Sequence, residues 1–251
     1  MVRLNANKLA NSKLKINKMK KKLELPNVTL LAASSIEIDM TQLALRISLR
    51  NIAFGAVKLL SSLPPSKKYS DIEYVSIPAM NNIADYNRMM IEDLHKYFTT
   101  SHCLVVQPDS FVVDSDLWND EFLQFDYIGA PWSNKIRINS ELVLNLEENC
   151  VGNGGFSLRS RKLVETTAKI NFNSLKFPFK NEDIIICHYL YKKMLESDIH
   201  FAPPKLAAQF SIENENHLYG QDVHTVFGFH GKQFREYFLN KYVLRETFGE
   251  W

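Results

Sequence analysis

Three glycines fall within four positions in the run Val151-Gly-Asn-Gly-Gly-Phe-Ser-Leu-Arg159: Gly152, Gly154 and Gly155, with Asn153 between them. Backbone without a Cβ can lie against a ligand where no other residue would fit. Two carboxylates, Glu182 and Asp183, come later in the chain, directly before the apolar run Ile184-Ile185-Ile186-Cys187. A carboxylate within hydrogen-bond reach of a bound hydroxyl can take its proton. The same residues also suit a tight turn entering a strand, then a helix start whose acids complement its dipole.

Asp109 follows the apolar run His102-Cys-Leu-Val-Val106 after Gln107 and Pro108, and Asp114 follows Phe111-Val112-Val113. A carboxylate at the end of a buried strand can hold a divalent cation that bridges the phosphates of a nucleotide. Oxygen ligands suit Mg²⁺ or Mn²⁺. Such an Asp can equally cap a turn. His230 sits between aromatics and a glycine in Val226-Phe-Gly-Phe-His-Gly231. Its neutral imidazole can supply a second ligand to the same metal, or it can be a satisfied core histidine. Trp132, after Pro131, can stack on a sugar face or fill a core.

The elements that must position these residues alternate. Val28–Ala33 is a short apolar run of the kind seen in buried parallel strands. Residues 39–60 carry helical periodicity ended by Ser61-Ser-Leu-Pro-Pro65, and Glu73–Ile77 reads as a second strand stopped by Pro78. Asp85 can cap a helix carrying Tyr86, Met89, Met90, Leu94 and Tyr97, and His102–Val106 is a third buried strand. Residues 182–196 read as a further helix. This alternation implies one α/β domain with a mainly parallel sheet and right-handed crossovers. Ligands of such sheets sit at the carboxyl ends of the strands, so residues 34–39, 77–82 and 107–114 share one rim.

Composition narrows the function classes. Residues 1–26 hold eight Lys or Arg against Glu24, a charge of +7 within a total of +2, so the remainder stands at −5. This basic tail also carries Leu4, Leu9, Leu14, Ile16, Met19 and Leu23. It can lie on an anionic membrane surface or be a solvated, flexible extension to a domain over residues 27–251. The tail lacks interleaved aromatics and the body is acidic, which argues against nucleic acid as a partner. Three cysteines, Cys103, Cys150 and Cys187, with no CxxC pair, fit a reducing, cytoplasmic setting.

The ordered succession Thr29-Leu-Leu-Ala-Ala-Ser-Ser-Ile-Glu37, Val105-Val-Gln-Pro-Asp-Ser-Phe-Val112, Asp126-Tyr-Ile-Gly-Ala-Pro-Trp132, the glycine run, Glu182-Asp183 and Phe227-Gly-Phe-His-Gly231 resembles an uncharacterised glycosyltransferase-like family of GT-A type. The resemblance spans roughly residues 28–232. It implies a Rossmann-like GT-A domain that moves a sugar from a nucleotide-sugar donor, UDP-linked by expectation, to a hydroxyl of a glycan acceptor. GT-A enzymes bind metal and diphosphate with a DxD motif; here the matching tripeptide is Gln107-Pro108-Asp109, without the first Asp. The resemblance implies Asp109 and His230 as metal ligands for Mn²⁺ or Mg²⁺. It places Ser34, Ser35, Asn87, Arg88, Gln107 and Asp109 at the nucleotide, although Arg88 also suits a plain helix surface. Trp132, Gly152, Asn153, Gly154 and Gly155 would form the sugar and acceptor pocket. Asp183 would be the base of an inverting reaction, with Glu182 as the alternative. The departure at Gln107 keeps a second reading open, a catalytically degenerate module that binds nucleotide or glycan.

Overall fold

The computed structural model describes residues 21–137, 143–146, 148–213 and 218–248. Residues 1–20, most of the basic tail and of its expected membrane contact, lie outside the described residues. Strand β1 covers Leu23–Ser34, helix α1 Ile38–Ser48, β2 Ile52–Ser61 and β3 Glu73–Ser76. Helix α2, Ile83–Arg88, runs on through a π turn at Met89–Asp93 and a tighter turn at Leu94–Lys96. Strands β4 (His102–Val106) and β5 (Ser110–Val112) follow, then β6 (Tyr127–Ile128), β7 (Lys135–Arg137), β8 (Val143–Asn145) and β9 (Phe156–Ser160). Helix α3 is Arg161–Thr167, and α4 is the single turn Glu182–Ile184, leading through a π turn at Ile185–Tyr189 into α5, Tyr191–Glu196. The chain continues with α6 (Pro204–Phe210), β10 (Ser211–Ile212), β11 (Gly228–His230) and α7 (Lys232–Phe248).

The fold is mixed α/β. Its central sheet has the order β3-β2-β1-β4-β9-β6. Neighbours pair in parallel from β3 to β4, and β9 runs antiparallel to β4 and β6. Alternate residues of the central strands face opposite helix layers. Leu30 and Ala32 of β1 with Leu104 and Val106 of β4 join Leu45 of α1 and Phe210 of α6 in one cluster. Leu31, Ala33, Cys103 and Val105 join Met89, Met90 and Val164 in another on the opposite face. Burial on both faces explains why these strands read as continuous apolar runs.

Three sequence expectations are corrected. Residues 39–60 are not one helix: α1 ends at Ser48, and β2 takes Ile52–Ser61 as the neighbour of β1. A short apolar run that will be buried gives the same pattern for either element. What separates them is tertiary: a Cβ on Gly55 would lie 2.1 Å from the Pro26 carbonyl oxygen, a close approach of two strand backbones. The cap of α2 is Asn82, whose side chain accepts the Asp85 N–H at 3.0 Å, not Asp85 itself. The helix over residues 182–196 is broken by its π turn into α4 and α5. Strand β1 begins at Leu23, on the near side of Pro26, and its register with β2 shifts between Leu25 and Thr29.

A smaller sheet, β10-β11-β5, leans on the main one. An aromatic cluster joins them: Phe156 of β9 lies 5.2 Å from Phe210 and 6.0 Å from Phe227, and Phe122 meets Phe210 edge-on at 5.2 Å.

Candidate functional site

The strand order reverses between β1 and β4, since β2 lies on one side of β1 and β4 on the other. Such a switch point opens a crevice at the carboxyl ends of the two strands. A cavity of about 350 Å³ lies there, lined by residues 33–37, 80–83, Tyr86 and residues 107–109. These are the rim segments expected from the sequence. Its lips carry Ile36 and Ile83, 86% and 66% exposed. Ser34 Oγ accepts the Glu37 N–H at 3.2 Å, and Ser35 Oγ accepts the Met80 N–H at 2.9 Å, so both serines shape the rim. Gln107 donates from Nε2 to the Tyr86 hydroxyl at 2.8 Å. Of the other expected nucleotide contacts, Asn87 is buried and accepts the Glu182 N–H at 3.3 Å. Arg88 is exposed, pairs with Asp85 at 3.5 Å and does not line the cavity.

The small sheet brings the distant C-terminal residues to this crevice. His230, at the end of β11, pairs with Ser110 at the start of β5, one residue after Asp109. Its Nε2 lies 3.5 Å from Asp109 Oδ1 and its Nδ1 lies 3.2 Å from Glu213 Oε1. Glu213 follows β10, which runs parallel to β11, and its second oxygen accepts the Trp132 Nε1–H at 3.0 Å. Burial alone would push the His230 imidazolium down, but hydrogen bonds and charges from Asp109 and Glu213 outweigh it and raise its pKa to about 10. Burial likewise works to raise Asp109, and the His230 hydrogen bond and charge reverse that and hold the carboxyl below its usual range.

The glycine run is where three of these side chains lie on bare backbone. The Trp132 ring covers Gly152. A Cβ on Gly154 would sit 1.8 Å from Glu182 Oε1, and one on Gly155 would sit 2.3 Å from the His230 ring. The close approach expected for a ligand is thus taken by the protein's own side chains, and all four residues from Gly152 to Gly155 are buried. Asn153 adopts a left-handed backbone with φ 66° and accepts the Gly155 N–H at 2.9 Å.

The two neighbouring carboxylates differ sharply. Glu182 is 3% exposed and pairs with Arg159 Nη2 at 2.8 Å. Asp183 is half-buried and accepts the Gly154 N–H at 3.0 Å and the Ile184 N–H at 2.8 Å, one on each oxygen. Burial raises its pKa first, the charges of Glu182 and Glu213 add to this, and the two N–H bonds only partly offset them. The result is about 7. Each oxygen keeps a lone pair free to accept a proton.

Two residues of this constellation were not singled out in the sequence. Arg159 had a signal, a lone charge between Leu158 and Ser160 in the short segment Phe156-Ser-Leu-Arg-Ser160. Glu213 had none, because only the pairing of β10 with β11 sets it beside His230.

As for known proteins, a family model described as a protein of unknown function (DUF5672) matches residues 70–230, well over half of the chain. The chain belongs to this family. The matched span holds Asn87, Asp109, Trp132, the glycine run, Arg159, Asp183, Glu213 and His230, and leaves Ser34 and Ser35 outside it. No curated protein matches the sequence. Similar solved structures include a glycosyltransferase involved in the glycosylation of the major capsid of PBCV-1. It is 11% identical, with 85% of this chain and 98% of that chain covered, at a TM-score of 0.46. Another is the galactosyltransferase LgtC in complex with donor and acceptor sugar analogs, 12% identical, with 80% and 86% covered, at a TM-score of 0.45. Neither likeness assigns a role to a residue of the DUF5672 chain.

Among the described residues no helix is long and apolar enough to cross a membrane, and no group of three or more metal-ligating side chains is present. Asp109 and His230 nevertheless fit a divalent cation as a neighbouring pair. They are one carboxylate oxygen and one imidazole nitrogen 3.5 Å apart, with Asp109 on the cavity wall. His230 would have to release its Nε2 proton to serve.

Proposed function

We propose that the protein is a nucleotide-sugar-dependent glycosyltransferase that acts with inversion, with Asp183 as its general base. The observation that carries this reading is the placement of Asp183. It is a half-buried carboxylate fixed by two backbone N–H groups, with a pKa of about 7. A base poised near neutral pH suits removal of a hydroxyl proton.

The donor nucleotide, UDP by expectation, occupies the crevice between β1 and β4, its base between the apolar lips at Ile36 and Ile83. The sugar then lies towards the glycine run. An acceptor hydroxyl of a glycan attacks the anomeric carbon from the side of Asp183. The new C–O bond forms as the bond to the diphosphate breaks, the hydroxyl proton passes to an Asp183 oxygen, and the nucleoside diphosphate leaves with the bonding electrons. Asp109 and His230 would hold Mn²⁺ or Mg²⁺, which when bound supplies positive charge to the leaving diphosphate. Glu182, buried against Arg159, does not take the proton in this reading. Trp132 forms the wall under the sugar through its ring over Gly152.

Gln107 favours a second reading, a non-catalytic nucleotide- or glycan-binding module. Its amide is engaged with Tyr86 at the position where GT-A enzymes carry an acid. One experiment separates the two. The protein is incubated with UDP-, GDP-, CMP- and dTDP-sugars with and without Mn²⁺, following thermal shift and release of free nucleotide. Ligand binding to the folded state raises Tm by mass action. A shift with nucleotide release, abolished in Asp183→Asn, supports transfer. A shift without release from any donor supports the module, and no shift at all refutes a donor crevice.

A further inference from the structure

Arg159 is the largest fully buried side chain among the described residues, and the reaction written above gives it no role. It stands on β9 two residues after Ser157, so the two side chains share one face of the strand. Its Nε donates to Ser157 Oγ at 2.9 Å, and Nη2 donates to Glu182 Oε1 at 2.8 Å and to the Gly154 carbonyl at 3.4 Å. The Ser157 hydroxyl donates to the same carbonyl at 3.1 Å. Gly154 is therefore gripped through its carbonyl by Arg159 and Ser157, while its N–H holds Asp183. Glu182, the partner of Arg159, is the residue just before Asp183.

We propose that Arg159 is a positioning residue for Asp183, holding the neighbouring Glu182 in an ion pair and locking the Gly154 peptide that anchors Asp183. Glu182 faces Arg159 at 2.8 Å, and its charge disfavours ionisation of Asp183. The other groups around Asp183 are Glu213 beyond β10, Tyr86 of α2, Tyr127 of β6 and Cys187 in the π turn. Burial keeps both tyrosines and the cysteine protonated well above neutral pH. The charges that act on Asp183 near neutrality are thus those of Glu182, with Arg159 behind it, and of Glu213, which is tied to His230.

The inference rests on Asp183 being the working carboxylate, and its test needs no sugar donor. The full chain is labelled with ¹³C at aspartate carboxyls and titrated by NMR, and the Asp183 resonance is identified by its loss in Asp183→Asn. The wild-type midpoint is expected near 7. Glu182→Gln should lower it by about one unit or more. Arg159→Met alone leaves a buried carboxyl unpaired and can unfold the chain. The double variant Arg159→Met/Glu182→Gln removes both charges at similar volume, and it should lower the midpoint as Glu182→Gln does. Arg159→Lys, which keeps a cation, should stay near the wild-type value. A folded double variant with a wild-type midpoint would overturn the proposal, as would a wild-type midpoint in the ordinary carboxylate range. Failure of every nucleotide sugar to react would sink the transferase reading and leave the titration result standing.

Discussion

Replacing Asp183 with Asn should change the pH dependence of stability, with a sign that the structure fixes. The folded protein holds Asp183 at about 7, above its ordinary 3.8, so folding favours its protonated form. Its contribution to stability is complete below the unfolded value and is lost as pH rises through the folded one. Each unit of separation is worth about 1.4 kcal/mol, so the wild type loses roughly 4 kcal/mol across this window. That figure is an upper bound, because the carboxylate keeps an exposed face that water screens. Asn does not titrate. It presents an amide where one backbone N–H, of Gly154 or Ile184, needs an acceptor, a constant penalty of about 1 kcal/mol. The variant should therefore be slightly less stable than wild type at pH 4, where the wild type has lost little, and more stable by up to ~3 kcal/mol at pH 9, given those two figures. Urea unfolding of both proteins at five pH values reads the difference directly. A stability difference that does not change between pH 4 and pH 9 would refute the buried, charge-repelled placement of Asp183, and with it the case for a neutral-pH base.

Further outcomes follow from the same geometry. In transfer assays Asp183→Asn should lower kcat by about 10²–10⁴ while leaving donor binding near normal, the range for loss of a general base; unchanged turnover removes Asp183 from that role. Asp109→Ala should weaken nucleotide affinity in Mn²⁺ and hardly alter it without metal, as calorimetry can measure; equal weakening in both speaks against a metal bridge. Gly154→Ala places a Cβ 1.8 Å from Glu182 Oε1. It should destabilise the fold by about 1–3 kcal/mol in urea, as over-packing does; an unshifted unfolding midpoint would mean that this approach is looser than described. Removal of residues 1–20, which stops short of β1, should lower binding to anionic vesicles in a sedimentation assay; full retention would exclude the tail as a membrane contact.

The sequence by itself determined the buried strands at Val28–Ala33 and His102–Val106, the strand opening at Glu73 and the helix between it and β4, the rim where ligands collect, and the identity of most residues there. Runs such as Val28–Ala33 and His102–Val106 are apolar on both faces because both faces are covered, and that pattern is local. Motif order was also local, so the glycine run, the acidic pair and His230 could be singled out without coordinates. Local pattern failed at β2, where Ile52–Ser61 reads as helix or strand alike until its pairing with β1 is known. It failed again at the acidic pair, where two adjacent carboxylates carry the same chemistry on paper. Only tertiary structure separated them, by burying Glu182 against Arg159 and leaving Asp183 on two backbone N–H groups. Tertiary structure also decided that the glycines receive Trp132, Glu182 and His230, and that Glu213 completes the line from Asp109 through His230 to Trp132. The physical reason is common to all of these. Burial, charge pairing and close backbone approach depend on residues far apart in the chain, and a sequence window contains only one side of each contact.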